Sequence, residues 1–241
     1  MITPDPEGKK TLETIAKAEQ FNQWLYTEIK PFLSGKILEI GSGLGNISKF
    51  AIADGFYITL SDYNEDYYAY LKEKYAANTN VAGILQIDLL HPSFTREYSS
   101  LENSFDSIFL LNVIEHVEDD NRALNNIRFL LKNNGQLTLL APAFNWLYCR
   151  FDKELGHYRR YSRKSMEKIL LSNNFSVLSC RYFNAPGIIG WLIFGKLLNR
   201  KLIEENEMLL FNRFVFLFKI VDKVLLHKIG LSVISCGIKK E

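Results

Sequence analysis

Short, strongly apolar segments recur along this chain, and most of them are separated by segments with helical character. Segments of this kind, typical of buried strands, lie at 36–40, 57–61, 81–87, 105–111, 136–142, 175–183 and 231–238. Near-continuous apolar strands that alternate with helices indicate a mostly parallel sheet covered on both faces. The sequence therefore predicts a doubly wound α/β fold with a seven-stranded, Rossmann-like sheet.

Helical segments complete this architecture. Four are expected between the strands, at 46–53, 64–75, 119–131 and 162–171, and an amphipathic helix over 11–33 is expected before the first strand. A segment of about 47 residues, very apolar and with a helical pattern, separates the sixth strand from the last. Because structureless loops of that length are uncommon in domains, this segment is interpreted as an added cap. The predicted organisation is an N-terminal helical segment (1–35), an α/β domain (36–184), a helical cap (185–229) and a last strand (230–241).

The charge and cysteine content exclude several classes of protein. The 241 residues carry 29 Lys and Arg against 27 Asp and Glu, and this net charge of +2 argues against nucleic-acid binding. Three cysteines without a CxxC pair argue against a disulfide framework and favour a reducing compartment. The N-terminal residues contain no apolar signal core, and the longest charge-free apolar stretch, 185–195, is shorter than the ~20 residues that span a bilayer. A cytoplasmic protein is expected.

The predicted cap combines apolar and basic residues. From Arg181 to the end, ten Lys and Arg stand against five Asp and Glu. Residues 188–194 and 208–226 are strongly apolar and leave a wide apolar arc on a helix. Two interpretations stay open. Packing of the cap against its own domain is favoured, and a surface for peripheral membrane contact or for a lipid tail is the alternative.

A glycine-rich turn lies where the first strand meets its helix, and it reads Glu39-Ile40-Gly41-Ser42-Gly43-Leu44-Gly45-Asn46. Glycines permit a tight turn and a close ligand, and the helix N-terminus offers free N–H groups. Asp62 and Asp88 end the next two strands, so all three features meet at the edge where open α/β sheets bind ligands. An acid at position 62 can accept both hydroxyls of a ribose. Asn46 stands where a dinucleotide-binding turn needs glycine or alanine, so the expected ligand is a nucleoside without a pyrophosphate on the helix.

On these residues the sequence resembles the class I S-adenosylmethionine-dependent methyltransferases, whose first motif places an acid two residues before G-x-G-x-G. The resemblance covers about 32–143 and resumes in the last strands. It implies S-adenosyl-L-methionine as the cofactor, S-adenosyl-L-homocysteine as the product and a small-molecule acceptor. The cofactor-binding residues that it implies are Glu39, Gly41, Ser42, Gly43, Gly45, Asp62, Tyr63, Asp88, Leu89 and Asn112.

A second segment, DKELGHYRRY at 152–161, looks like part of a bacterial methyltransferase subgroup. Some members of that subgroup are fused to glycosyltransferases that use polyprenyl-phosphate substrates, which implies an amphipathic, sugar-linked or lipid-linked acceptor. Adjacent arginines can clamp a phosphate or carboxylate while tyrosines provide apolar contact. A solvated turn before the next helix is the alternative. The expected acceptor-binding residues are Tyr158, Arg159, Arg160 and Tyr161.

Two histidines are candidates for the catalytic base. His116 follows the fourth strand and His157 lies in the second segment, and either ring can accept a proton from an acceptor hydroxyl. The alternative for His116 is a loop or helix-capping role, and the alternative for His157 is the solvated turn before the next helix. Transfer to oxygen is therefore favoured over transfer to nitrogen or carbon. The acids at 118–120 have no His or Cys partner at ligand spacing, so no metal is expected. A nicotinamide-dependent oxidoreductase and a catalytically silent cofactor-binding subunit remain as alternative functions.

Overall fold

A seven-stranded sheet forms the centre of the structure, a computed structural model that describes residues 6–240. Its strands follow the order β3-β2-β1-β4-β5-β7-β6. The first five pair in parallel, whereas β7 runs antiparallel to both of its neighbours. This confirms the predicted mostly parallel sheet. The strands are β1 (Ile37–Ile40), β2 (Ile58–Ser61), β3 (Val81–Leu85), β4 (Phe105–Leu111), β5 (Leu131–Pro142), β6 (Phe175–Phe183) and β7 (Ser232–Lys239).

Helices cover both faces of this sheet. They are α1 (Pro6–Ala16), α2 (Glu19–Ile29), α3 (Ser48–Ala53), α4 (Glu65–Tyr75), α5 (Phe94–Glu97), α6 (Asp120–Leu130), α7 (Arg150–Glu154), α8 (Arg163–Ser172), α9 (Gly187–Gly190), α10 (Glu205–Arg213) and α11 (Val215–Val224). Single 3₁₀ turns occur at Lys30–Phe32, Ser99–Leu101, Ile114–His116 and Asn145–Leu147, and a π-helix, Trp191–Leu197, continues α9. No helix among residues 6–240 has both the length and the apolar character to cross a bilayer.

Alternate residues of the strands enter the two layers of the core. In β1, Leu38 packs in the layer under α6 and α8, while Ile37 packs in the layer that includes α2 and α3. Side chains cap several helices. Oδ1 of the Asn64 side chain, for example, accepts from the Asp66 amide at 2.9 Å at the start of α4, and this satisfies a donor that the helix leaves unpaired.

The predicted helix over 11–33 is in fact two helices, α1 and α2. Ala18 separates them with a non-helical ψ of 67°, and it is fully buried. The side-chain amide of Asn22 donates to the Ile15 carbonyl at 2.7 Å, so a carbonyl at the end of α1 keeps a partner. This bend places α1 at an angle that a single helix could not reach.

The segment between β6 and β7 is helical, as predicted, and its first apolar block packs only partly against the domain, because Ile189 and Ile193 are 63% and 41% exposed. Trp191 donates from its indole N–H to the Leu147 carbonyl at 3.1 Å and packs against Phe151 at 5.0 Å between ring centres. Ile188 is buried as well. The second part, α10 and α11, packs against α1 and α2, and the carboxylate of Asp222 accepts from the amides of Asn184 and Ala185 at the base of the cap.

Candidate functional site

The glycine turn after β1 has a backbone that only glycine adopts without strain. Gly41, Gly43 and Gly45 have φ values of 73°, 53° and 74°. A Cβ on Gly41 would lie 2.4 Å from Cγ2 of Val113, and one on Gly45 would lie 2.5 Å from the Tyr75 hydroxyl. The turn is therefore packed directly against the loop that follows β4.

Asp62 connects this turn to the end of β2. Its Oδ2 accepts from the Gly43 amide at 2.9 Å, and its Oδ1 accepts from the Asn64 amide at 3.0 Å. Ser42 adds a backbone hydrogen bond, because its amide donates to the Ser61 carbonyl at 2.8 Å. Asp62 is buried, so its carboxylate is oriented by backbone donors rather than by solvent.

Glu39, the acid two residues before the first glycine, lies beneath the turn. The Ser48 hydroxyl at the start of α3 donates to Glu39 Oε2. Burial raises the pKa of Glu39 to about 7 against the effect of this hydrogen bond, and the nearby Asp62 contributes to the rise. Glu39 thus connects the turn to the helix that follows it.

The remaining predicted cofactor residues lie along the same edge of the sheet. Tyr63 follows Asp62 and is 57% exposed. Asp88, after β3, is exposed and accepts from the Leu90 amide at 2.8 Å, while Leu89 is buried. Asn112 follows β4, is exposed and has a φ of 55°. The structure brings all of these residues to the carboxyl ends of β1, β2, β3 and β4.

Helix α1 covers the glycine turn, a contact that the sequence did not predict. A Cβ on Gly43 would lie 2.9 Å from Cδ1 of Leu12. The Asn46 side-chain amide donates to the Leu12 carbonyl at 3.0 Å. Asn46, which distinguishes this turn from a dinucleotide-binding one, therefore attaches α1 to the site. An amphipathic pattern alone indicates that a helix packs but does not indicate on which surface.

A cluster of charged and aromatic residues lies beyond the glycine turn, around the loop after β4 and the 152–161 segment. Its centre is Asp152, which is fully buried. Oδ1 of Asp152 contacts His157 Nδ1 at 2.8 Å and accepts from Arg160 Nε at 2.7 Å. Burial opposes ionisation here, but the hydrogen bonds from His157 and Arg160 lower the pKa of Asp152. Sequence analysis did not single out Asp152, although it begins the DKELGHYRRY segment.

The two arginines of this segment have different surroundings. Arg160 is buried, donates to the Ala143 carbonyl at 2.9 Å and stacks on Trp191 at 4.5 Å. Arg159 is partly exposed and pairs with Asp120 at 2.9 Å. The burial of Arg160 argues against its predicted direct contact with an acceptor, since its guanidinium already has an internal carboxylate.

The flanking tyrosines divide in the same way. Tyr161 is buried and donates from its hydroxyl to Asp120 Oδ2 at 2.8 Å, so its side chain is an internal support rather than a surface contact. Tyr158 is 55% exposed, and its amide donates to the Glu115 carbonyl at 2.8 Å. Of the four predicted acceptor-binding residues, Tyr158 and Arg159 are therefore the ones that reach solvent.

The two candidate bases lie side by side. The rings of His116 and His157 are 4.6 Å apart at an angle of 86°. His157 is buried and His116 is exposed on one side. The protein atoms packed around His116, together with His157, lower its pKa to about 4. Glu115 lies beside them, fully buried, and burial raises its pKa to about 8.

Comparison with known proteins adds a domain assignment. Residues 38–137 match the family model described as "Methyltransferase domain". The chain is 28% identical over 145 residues to "Probable polyketide synthase 42" of Dictyostelium discoideum. The match covers 52% of this chain and 5% of that protein. This chain thus corresponds to a small part of the curated relative. The family match assigns a methyltransferase domain to residues 38–137, which agrees with the predicted class of enzyme.

Solved structures share this fold. A SAM-dependent methyltransferase from Archaeoglobus fulgidus superposes with a TM-score of 0.58 at 14% identity, over 90% of this chain and 94% of that one. Phosphoethanolamine N-methyltransferase 2 of Haemonchus contortus, in complex with S-adenosyl-L-methionine, superposes with a TM-score of 0.60 at 16% identity. The superposition covers 94% of this chain and 57% of that one. The likeness confirms the Rossmann-like fold.

The packing of the glycine turn yields a stability prediction with an internal control. Gly41→Ala and Gly55→Ala both place a side chain at positive φ, at 73° and 80°, which costs about 1–2 kcal/mol. Only Gly41 has a close neighbour, Val113, and nothing lies within 4 Å of a Cβ on Gly55. We expect Gly41→Ala to lower the free energy of unfolding by about 2 kcal/mol more than Gly55→Ala, measured by urea unfolding. Equal losses would show that the turn is not packed on the loop after β4.

Proposed function

We propose that this chain is an S-adenosylmethionine-dependent methyltransferase that methylates an oxygen of a small amphipathic, sugar-linked or lipid-linked acceptor. The observation that carries the proposal is the buried Asp62, whose two carboxylate oxygens meet the Gly43 and Asn64 amides at the carboxyl edge of the sheet. When bound, S-adenosylmethionine supplies a methyl group on a positively charged sulfur and leaves as S-adenosylhomocysteine.

The donor set along this edge fits such a nucleoside. Asp62 is a charged acceptor for ribose hydroxyls. Exposed Asp88 and buried Leu89 suit the polar edge and the flat face of an adenine. Glu39 and Asn112 are assigned to the methionine portion. Tyr63, next to Asp62, contributes ring surface beside the ribose.

The acceptor is assigned to the cluster beyond the glycine turn. Val113 contacts Gly41, and His116 follows it by three residues, so the two sites share one loop. In this proposal His116 or His157 receives the acceptor's hydroxyl proton, and the exposed Tyr158 and Arg159 contact the rest of the acceptor. Arg160 and Tyr161 are positioning residues, because both are buried and bonded to internal carboxylates. Alignment of two bound reactants is the main catalytic contribution expected from such a site.

Transfer of a tritiated methyl group from S-adenosylmethionine to cell lipid and polar extracts tests this function directly. We expect labelled product with the wild-type chain. Asp62→Asn keeps the shape of the side chain but removes its charge, so it should weaken cofactor binding by about 2 kcal/mol, or roughly 30-fold, in a calorimetric titration. Glu65→Gln, an exposed acid nearby in α4, is the control and should bind normally.

Two results would contradict the proposal in different ways. Binding of a nicotinamide dinucleotide in place of S-adenosylmethionine would favour an oxidoreductase. Normal cofactor binding without transfer to any extract would favour a catalytically silent subunit.

The surface of the cap supports a lipid-linked acceptor. Large apolar side chains at least 36% exposed cover α10, α11 and the turn after them: Leu209, Leu210, Phe214, Phe216, Leu217, Ile220, Val221, Val224, Leu225 and Leu226. Arg213, Lys223 and Lys228 are exposed among them. Apolar side chains interspersed with basic ones are the composition of an interfacial membrane helix. We assign this surface to an anionic lipid bilayer, from which the acceptor is drawn.

Vesicle co-sedimentation tests the membrane assignment. Phe216→Ser with Ile220→Ser removes two side chains of α11 that are 59% and 56% exposed, and we expect binding to anionic vesicles to fall by at least about tenfold. Leu171→Ser with Leu178→Ser, at 54% and 55% exposure outside the cap, is the matched control and should leave binding unchanged. Because basic residues contribute, wild-type binding should weaken as salt rises. Equal losses in both double variants, or no wild-type binding at low salt, would refute the assignment.

A further inference from the structure

We propose that Glu115, His116 and His157 form a binding site for one divalent transition-metal ion. A ligand atom of each residue lies within 4.8 Å of a ligand atom of the other two. Two of the three, Glu115 and His116, are adjacent in the loop after β4. His157 arrives from the 152–161 segment, 41 residues later. Because His157 is distant in sequence, the spacing of these residues does not indicate the cluster, and the acids at 118–120 predict no metal.

The first independent observation is an orphaned carboxylate. Glu115 is 0% exposed, and neither of its carboxylate oxygens accepts a hydrogen bond from another residue within 6–240. Buried polar groups nearly always have partners, and an exception calls for a ligand or a functional role. A cation bound at this point supplies the missing partner.

The second observation is the support behind His157. Oδ1 of Asp152 lies 2.8 Å from His157 Nδ1. Because an ionised carboxylate can only accept, Nδ1 donates to it and Nε2 is the ring atom available to a cation. Histidines that bind metals almost always donate their second ring N–H to a carboxylate or a backbone carbonyl. His157 therefore has the orientation partner of a metal ligand.

The donor set selects the class of ion. Two imidazoles and one carboxylate suit Zn²⁺, Fe²⁺ or Mn²⁺, whereas Mg²⁺ and Ca²⁺ prefer sites built only from oxygen. Ligands bound at ~2.1 Å in a tetrahedron lie ~3.4 Å apart, so the three residues have to approach one another when the ion binds. Three protein ligands leave at least one coordination position open, as in catalytic rather than structural sites.

The role of the ion rests on the proposed function, although its binding does not. An acceptor hydroxyl that takes the open position loses its proton to solvent more readily, because the cation stabilises the oxygen anion. That oxygen then forms the new bond to the methyl carbon as the carbon–sulfur bond breaks. When the ion is bound, His116 and His157 act as its ligands, and the base role proposed for them applies to the metal-free site.

A competing explanation involves Arg160. Its Nη2 is also buried without a hydrogen-bond partner among the residues that the structure describes, and its charge acts on Glu115. A direct ion pair between these two side chains would satisfy both without a metal. The two explanations differ in whether the exposed His116 contributes to binding of an added cation.

Titration of metal-free, untagged protein with Zn²⁺ by calorimetry tests the proposal, with Co²⁺ absorption as a second report on the ligands. We expect one ion per chain. His116→Gln alters a ring that is exposed on one side and should leave the fold intact, yet it should weaken Zn²⁺ binding by at least tenfold, as should Glu115→Gln. Asp152→Asn, which removes the charge behind His157, should weaken it by about 10–100-fold. His91→Gln, a histidine outside the cluster, is the control and should bind like the wild type.

No one-site Zn²⁺ binding, or unchanged affinity in His116→Gln and Glu115→Gln, would overturn the proposal and favour the Glu115–Arg160 pair. Binding of S-adenosylhomocysteine to the same samples is measured without metal. If the wild-type protein does not bind S-adenosylhomocysteine, the result counts against the proposed function alone. If it binds S-adenosylhomocysteine but not Zn²⁺, the result counts against the metal site alone.

Discussion

The hydrogen bond from the Gly43 amide to the Asp62 carboxylate holds the glycine turn against the end of β2, and the geometry of the candidate cofactor site depends on it. A parallel arrangement brings the ends of β1 and β2 to the same edge, but it does not fix the turn between them. The buried carboxylate does so, because it takes one amide from the turn and one from the start of α4. The same group is the one proposed to receive a ribose.

Packing extends this arrangement in two directions. On one side Leu12 of α1 lies against Gly43, and α1 and α2 in turn contact the cap. On the other side Val113 lies against Gly41, in the loop that leads to Glu115 and His116. The glycine turn is thus in contact with both α1 and the loop that leads to Glu115 and His116. A change at either Gly41 or Gly43 reaches elements that are distant in sequence.

Features set by local chemistry were predictable from the sequence. The strands were located by their apolar character, and the helices predicted to start at 64 and 162 begin at side-chain caps in the structure. Features set by tertiary packing were not. The break at Ala18 depends on its burial, and an apolar strand such as β7 has the same pattern whether it runs parallel or antiparallel. Adjacent arginines also look alike in sequence, although Arg160 faces the buried Asp152 and Arg159 faces the surface.

Hydrogen–deuterium exchange with and without S-adenosylhomocysteine tests the central claim, that the turn, Asp62 and α1 form one nucleoside site. At a ligand concentration of 100 times Kd, the bound state gains about 2.7 kcal/mol, so amides that open with the site should exchange up to about 100-fold more slowly. We predict this slowing at 8–16, 41–46 and 62–64, with little change at 205–224. Saturated binding that protects none of these segments, or only the cap, would contradict the account.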